Sequence, residues 1–245
     1  MLQRRTGGFG WRQAAVIAII AAGPAACGPA PRPVAQARPS LVSDQSSGLG
    51  RPVEANAPRL VVLGDSLTAG LGLAATEAYP ARLQERLAAA GHRLHIVNAG
   101  VSGDTTAGGL RRLEWALDGD VEMLIVALGG NDGLRGLPID QMKDNLGEII
   151  TTANARGVEV LLAGMEAPPN FGEAYTAAFR DVYHQLAREH DVVLVPFLLE
   201  GVAGVLNLNQ SDGIHPNAVG AARVAEHLWP AVESLVLRRA SDDGQ

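Results

Sequence analysis

The sequence predicts an α/β fold, a three-layer α/β/α sandwich in which a five-stranded parallel sheet lies between two layers of helices. Five short apolar runs alternate with amphipathic helical patterns along residues 58–238. Most of these runs are continuously apolar, as expected for strands that are covered on both faces. Because crossovers between parallel strands have one preferred hand, such alternation places helices on both sides of the sheet.

The predicted strands are short apolar runs, and most of them end at a polar or glycine-containing segment. They cover residues 59–63, 94–98, 123–128, 159–163 and 192–195. In open parallel sheets, ligands bind beyond the carboxyl ends of the strands. We therefore expect the functional site where these polar segments meet.

The predicted helices are apolar stripes in which residues repeat every three or four positions. The stripes run through residues 79–87, 110–117, 139–150, 175–186 and 219–237. Pro80 suits the first turn of the first helix, and Gly91 suits its end. Pro216 is expected to begin the last helix, whereas Arg111 and Arg112 are expected to cover a solvated helix face.

The first 57 residues are predicted to be a targeting segment followed by a tether. Three arginines precede a nine-residue apolar run, residues 14–22, which is too short to span a membrane and is typical of a secretory signal peptide. Cleavage after Ala26 assigns residues 1–26 to the signal. Residues 27–57, rich in proline, serine and glycine, are predicted to be a disordered tether. One folded domain, 58–238, and a polar tail, 239–245, complete the chain.

Cys27 is the only cysteine of the chain, which excludes an intrachain disulfide and a cysteine-built zinc site. Its place directly after the predicted cleavage point resembles the lipobox of bacterial lipoproteins, in which the cysteine is lipidated. Pro24 stands where that pattern usually has leucine. Two alternatives stay open: Cys27 carries a lipid anchor, which we favour, or it is discarded or left free after ordinary cleavage.

Charge is distributed unevenly along the chain. Residues 1–57 hold six arginines and two acids, a net charge of +4, whereas residues 58–245 hold 14 basic and 24 acidic residues, a net charge of −10. An acidic domain is repelled by phosphate backbones, so nucleic acid is not expected as a partner. No heptad pattern is present, and a monomer is expected.

Four short segments carry residues with catalytic chemistry: Gly64-Asp65-Ser66-Leu67, residues 98–105, Gly129-Gly130-Asn131-Asp132 and residues 212–217. A serine on a strand-to-helix turn can expose its hydroxyl and offer its own N–H to an oxyanion. Asn131 could donate to the same oxyanion, and Asp212 could orient His215 as a general base. Each segment alone could equally be a turn, a cap or a structural histidine. Asp65 and Asp132 are expected to brace loops.

Together the four segments resemble the SGNH (GDSL) hydrolase superfamily, whose sequence blocks they match in order. The matching stretches are residues 63–70, 98–110, 128–136 and 212–217. Within that superfamily the sequence is most similar to the bacterial multifunctional thioesterases, which also act as lysophospholipases and arylesterases. The resemblance implies the flavodoxin-like form of the α/β/α sandwich.

The resemblance also implies a role for each matching residue. Ser66 would be the nucleophile and His215 the base, oriented by Asp212. The backbone N–H groups of Ser66 and Gly103 and the side-chain amide of Asn131 would form the oxyanion hole. The implied reaction is two-step acyl transfer through an acyl-enzyme, with no metal and no cofactor.

The expected function is that of a serine esterase of lipid metabolism, acting on aryl and acyl esters, lysophospholipids or acyl thioesters. Residues 133–138 and 165–171 are expected to flank its acyl pocket. Export to the periplasm is expected, with membrane association only through a lipid on Cys27. Two alternatives stay open: a carbohydrate O-acetyl esterase of the same superfamily, and a non-catalytic acyl-binding lipoprotein of the envelope.

Overall fold

The structure, a computed structural model, describes residues 58–242. The predicted signal peptide, Cys27 and the predicted tether lie outside the described residues, as do the last three residues of the predicted tail. The first four residues of that tail, 239–242, belong instead to the C-terminal helix.

Five parallel strands form one sheet in the order β2-β1-β3-β4-β5. They are β1 (Arg59–Gly64), β2 (His95–Gly100), β3 (Val121–Ala127), β4 (Glu159–Ala163) and β5 (Val193–Val195). The five predicted strands are confirmed to within two residues at either end. Strand order reverses between β1 and β3, and in doubly wound sheets the crevice at such a point binds the ligand.

Eight helices within the described residues connect and cover the sheet: α1 (Ser66–Ala69), α2 (Tyr79–Ala89), α3 (Thr106–Arg111), α4 (Leu113–Ala116), α5 (Gly130–Leu134), α6 (Ile139–Ala155), α7 (Glu173–His190) and α8 (Ala218–Asp242). Short 3₁₀ turns lie at Pro169–Phe171 and Leu206–Leu208. Helix α2 packs against α8, while α6 packs against both α3 and α7. The two groups cover the sheet and give the predicted three-layer α/β/α sandwich.

The core consists of the strands and the apolar faces of the long helices. Residues 60–63 of the interior strand β1 are fully buried, as are Leu83 of α2, Leu146 of α6 and Leu228 of α8. A strand that helices cover on both faces buries every one of its side chains, so apolar residues are favoured at each position and the runs do not alternate in polarity. None of the helices described in residues 58–242 combines the length and hydropathy that a membrane crossing requires.

Two predicted helix boundaries are wrong. The stripe through residues 110–117 is two short helices, α3 and α4, which are separated at Arg112. The last helix begins at Ala218 and not at Pro216. Asn217 takes the capping position instead, because its Oδ1 accepts hydrogen bonds from the N–H groups of Val219 and Gly220, each at 3.0 Å.

Candidate active site

Three side chains from opposite ends of the domain form a hydrogen-bonded chain. Ser66 begins α1 directly after β1, and His215 lies in the loop before α8. Ser66 Oγ lies 2.9 Å from His215 Nε2, and His215 Nδ1 lies 2.7 Å from Asp212 Oδ2. The order Asp–His–Ser and these distances match the geometry of a serine that is activated by a histidine base, which a carboxylate orients.

Asp212 is held as an acceptor by its own loop. Its Oδ1 accepts from the backbone N–H groups of Ile214 at 2.9 Å and His215 at 3.0 Å. Three hydrogen bonds lower the pKa of Asp212 to about 2. The bond from the His215 N–H has the largest effect, followed by the bond from the Ile214 N–H and the contact with the His215 imidazole. Asp212 is therefore ionised at neutral pH and favours the imidazole tautomer with hydrogen on Nδ1. That tautomer leaves Nε2 free to accept the Ser66 hydroxyl proton.

The nucleophile turn is fixed by close packing behind Ser66. A Cβ on Gly64 would lie 1.9 Å from Thr68 Oγ1, so only glycine fits at the end of β1. Thr68 Oγ1 lies 2.7 Å from the Tyr79 hydroxyl, which ties α1 to α2. Helix α1 ends at Gly70, whose φ of 74° is left-handed. Ser66, the first residue of this short helix, lines the pocket and contacts His215.

Asn131, the second residue of α5, is held by the nucleophile turn itself. Its Nδ2 donates to Asp65 Oδ2 at 3.1 Å, and Asp65 Oδ1 accepts from the Leu67 N–H at 3.0 Å. Gly130 permits this approach, because a Cβ there would lie 3.2 Å from Asp65 Oδ2. Burial raises the pKa of Asp65 to about 6, although both hydrogen bonds oppose the rise. Asp65 braces its loop as predicted, but its contact with Asn131 was not predicted.

The loop that carries Gly103 is anchored by two arginines. Arg135 donates to the Gly103 carbonyl at 2.8 Å. Arg112 donates through Nε to Asp104 Oδ2 at 2.6 Å, through Nη1 to the Ala99 carbonyl at 2.7 Å and through Nη2 to the Gly64 carbonyl at 2.8 Å. The prediction that Arg112 covers a solvated face is therefore wrong. No local pattern would have revealed this contact, since Gly64 is 48 positions away in the sequence.

Asp132 joins two helices next to the site. Its Oδ2 accepts from the Thr106 N–H at 2.9 Å and its Oδ1 from Thr106 Oγ1 at 2.7 Å. Asn145 of α6 donates to the same Thr106 hydroxyl at 3.0 Å. Asp132 thus has the bracing contacts that the sequence predicted for it.

A pocket of about 550 Å³ opens above the serine, and Ser66, Gly103, Asn131 and His215 all line it. Most of its remaining wall is apolar, and is formed by Leu67, Leu71, Leu134, Met165, Ala167, Pro168, Pro169, Phe197, Leu199, Ala203 and Ile214. One of the two segments expected to flank an acyl pocket contributes residues 165–169, and the other contributes Leu134. A pocket of this size with few polar groups suits an extended apolar ligand.

One ion pair borders this pocket. Glu166 lines it and accepts from Arg180 Nε at 2.6 Å and Nη2 at 2.8 Å, a bidentate pair. Within residues 58–242, no group of three histidine, cysteine, aspartate or glutamate side chains is placed to hold a metal ion. The polar side chains that line the pocket are those of Asp65, Ser66, Ser102, Asn131, Glu166 and His215.

Comparison with known proteins agrees with this geometry. Residues 62–223 match the model of the GDSL-like lipase/acylhydrolase family. The chain is 46% identical over 184 residues to esterase TesA of Pseudomonas aeruginosa, which covers 75% of this chain and 92% of that protein. It is 39% identical over 183 residues to thioesterase 1/protease 1/lysophospholipase L1 of Escherichia coli K12, covering 74% and 86%.

A solved structure extends the comparison to the fold. The crystal structure of the psychrotrophic esterase EstA from a Pseudoalteromonas species, inhibited by monoethylphosphonate, superposes with a TM-score of 0.69 at 30% identity. The match covers 72% of this chain and 97% of that one, so the domain described here corresponds to a nearly complete solved chain. The family match spans well over half of the sequence and includes every residue of the hydrogen-bonded chain. The chain belongs to the GDSL-like lipase/acylhydrolase family.

Proposed function

We propose that the protein is a serine esterase that hydrolyses carboxylic esters of apolar acyl groups through an acyl-enzyme. One observation carries the proposal: the hydrogen-bonded chain Asp212–His215–Ser66 ends at the floor of a largely apolar pocket that Asn131 also lines. A base and a nucleophile in contact, with an uncharged donor beside them, are the groups that acyl transfer needs.

In the first step, Ser66 Oγ attacks the ester carbonyl while His215 Nε2 takes the hydroxyl proton. The ionised Asp212 stabilises the imidazolium that forms. Negative charge develops on the carbonyl oxygen, and we assign its stabilisation to the N–H groups of Ser66 and Gly103 and the Asn131 amide. The imidazolium then protonates the leaving alcohol, and the acyl group stays on Ser66.

In the second step, water attacks the acyl-enzyme and His215 again acts as the base. Collapse of the tetrahedral intermediate returns the proton to Ser66 Oγ and releases the carboxylic acid. Apart from the ester and the attacking water, both steps use only groups of this chain, and the proton that His215 takes from water returns to Ser66 Oγ. Lysophospholipids and aryl esters of fatty acids fit the pocket, because both present an apolar acyl chain to its largely apolar wall. Acyl thioesters are a further candidate class.

Hydrolysis of p-nitrophenyl esters from acetate to palmitate tests this function. Activity should rise from acetate toward medium or longer chains, and Ser66→Ala should abolish almost all of it while the circular dichroism spectrum stays native. Activity confined to acetate would favour a carbohydrate O-acetyl esterase. A folded protein with no Ser66-dependent turnover that still binds acyl chains would favour the non-catalytic lipoprotein.

We further propose that the protein is exported and anchored in the bacterial envelope as a monomer, through a lipid on Cys27. Metabolic labelling with radioactive palmitate should mark the full chain but not Cys27→Ala, and the variant should move from the membrane fraction to the soluble periplasm. Label on both proteins, or native protein in the cytosol, would contradict the anchor. Size-exclusion chromatography of Cys27→Ala tests the oligomeric state.

A further inference from the structure

Exposed apolar side chains are concentrated around the mouth of the catalytic pocket. Within residues 58–242, ten large hydrophobic side chains are at least 38% exposed, and eight of them lie in loops or helix ends at the carboxyl edge of the sheet. We call these eight the apolar rim: Leu71, Val101, Leu134, Phe171, Val205, Leu206, Ile214 and Val219. The other two, Trp115 and Leu237, lie away from that edge. Single exposed apolar residues need no explanation, but a concentration at one site does.

The apolar rim is continuous with the pocket wall. Leu71, Leu134 and Ile214 line the pocket and are each about half exposed, so the same side chains face both the pocket and solvent. Each of the other five rim residues lies within four positions along the chain from a residue that lines the pocket. The rim residues therefore belong to the same loops and helix ends that form the pocket wall.

The part of the rim that includes Leu206 is held in place by side-chain hydrogen bonds. Gln210 Nε2 donates to the Leu71 carbonyl at 2.7 Å and to the Pro216 carbonyl at 3.0 Å. Asn217 Nδ2 donates to the Asn207 carbonyl at 2.9 Å, next to Leu206, whose side chain is 92% exposed. These contacts join the α1–α2 connection to the connection between β5 and α8 and close the latter on itself, so the apolar side chains are presented by a fixed framework.

We propose that the apolar rim docks the mouth of the pocket onto an uncharged or zwitterionic lipid surface, from which the acyl chain of the substrate enters. The inference deepens the proposed function and rests on it. A second copy of the chain on the rim would cover the pocket entrance, whereas a lipid surface supplies the acyl chain itself. The net charge of −10 on residues 58–245 opposes an anionic surface, so apolar contact and not charge must drive the docking.

The length of chain before the domain is compatible with this docking. Thirty residues, 28–57, separate Cys27 from the described domain. Fully extended, they span at most about 100 Å. A lipid on Cys27 would therefore keep the domain within reach of the same membrane, and the rim would orient the pocket toward it.

Flotation with vesicles of phosphatidylcholine tests the docking. The protein is the chain from residue 28 onward with Ser66→Ala, which carries no anchor cysteine and does not consume the lipid. We expect it to float with the vesicles. Leu206→Ser should weaken partitioning about tenfold, the loss expected when one exposed leucine no longer enters an apolar phase. Leu237→Ser, an equally apolar change outside the rim, is the matched control and should leave partitioning unchanged.

Three results would overturn the proposal: no partitioning of the parent protein, equal losses in Leu206→Ser and Leu237→Ser, or binding that requires phosphatidylglycerol and disappears in high salt. A dimer in size-exclusion chromatography that dissociates with Leu206→Ser would identify a second copy as the occupant. Because flotation uses a protein that cannot turn over, its outcome is independent of the esterase proposal. In the Ser66 enzyme, Leu206→Ser should hydrolyse soluble p-nitrophenyl butyrate normally and vesicle-borne lysophosphatidylcholine more slowly.

Discussion

At the scale of single residues, Asp65 is the side chain that joins the turn carrying Ser66 to Asn131, the proposed oxyanion donor. Because its folded pKa is about 6, above the ordinary value of 3.8, the folded chain binds this proton more tightly than the unfolded chain. Folding stability therefore falls as pH rises from about 4 to 6. The carboxylate accepts a hydrogen bond from Asn131 Nδ2. We propose that this bond fixes the orientation of the amide and thereby offsets the cost in stability.

Asp65→Asn tests this role. The substitution places an NH₂ group where the carboxylate oxygen of Asp65 accepts a hydrogen bond from Asn131. Asn131 would then turn its carbonyl oxygen toward that NH₂ group, and its own NH₂ group would point away from the oxyanion. We expect kcat to fall by ~10²–10³ with a small change in KM. Asn131→Ala should show a similar loss, and the double variant should lose no more than either single variant.

The stability of Asp65→Asn supplies a separate measurement. Between pH 4 and pH 7, urea unfolding should show the native protein losing about 2–3 kcal/mol of stability relative to the variant, which has no carboxyl group to titrate at position 65. Additive losses of kcat in the double variant would show that Asp65 and Asn131 act independently. A less stable variant with native kcat would limit Asp65 to bracing its loop.

At the scale of secondary-structure elements, the helix predicted through residues 110–117 is interrupted at Arg112. Arg112 lies between α3 and α4 with φ −107° and ψ 8°, and its guanidinium reaches Asp104 and the ends of β1 and β2. These bonds connect the Gly103 loop to the two strands that support the nucleophile. The helix break therefore has a structural role in positioning the loops of the site.

Arg112→Lys should weaken this connection, because an ammonium cannot match the planar fork that reaches three partners. We expect a loss of about 2–4 kcal/mol in the free energy of unfolding, as Asp104 and at least one carbonyl lose their donors. Arg111→Lys, at the exposed neighbouring position, should change it by less than about 0.5 kcal/mol. Equal effects of the two substitutions in urea denaturation would contradict the assignment.

Sequence patterns predicted the elements better than the contacts between them. Strands and long helices follow from local apolar periodicity, so β1–β5 and α2, α6 and α7 lie close to where the sequence predicted them. The helix break at Arg112 and the Asp65–Asn131 bond depend on partners 48 and 66 positions away, which no local pattern reports. The exposure of Leu206 likewise depends on how distant loops meet.

At the scale of the whole molecule, the sheet gathers all of this chemistry at one edge. Segments after β1, β2 and β3 and the loop before α8 place Ser66, Gly103, Asn131 and His215 around one pocket. The pocket wall and the apolar rim are made by the same loops. The domain therefore combines a parallel sheet, whose strand ends place the side chains of the site, with an edge at which the pocket wall is largely apolar.

The central claim is that His215 activates Ser66 as a covalent nucleophile. Intact-mass measurement after incubation with ethyl p-nitrophenyl phosphonate tests it most directly, since the phosphonyl adduct resembles the tetrahedral intermediate and is not readily hydrolysed. We predict one adduct per chain, mapped by peptide sequencing to Ser66, formed far more slowly in His215→Ala and absent in Ser66→Ala. An adduct on another residue, or native labelling of the His215 variant, would contradict the account.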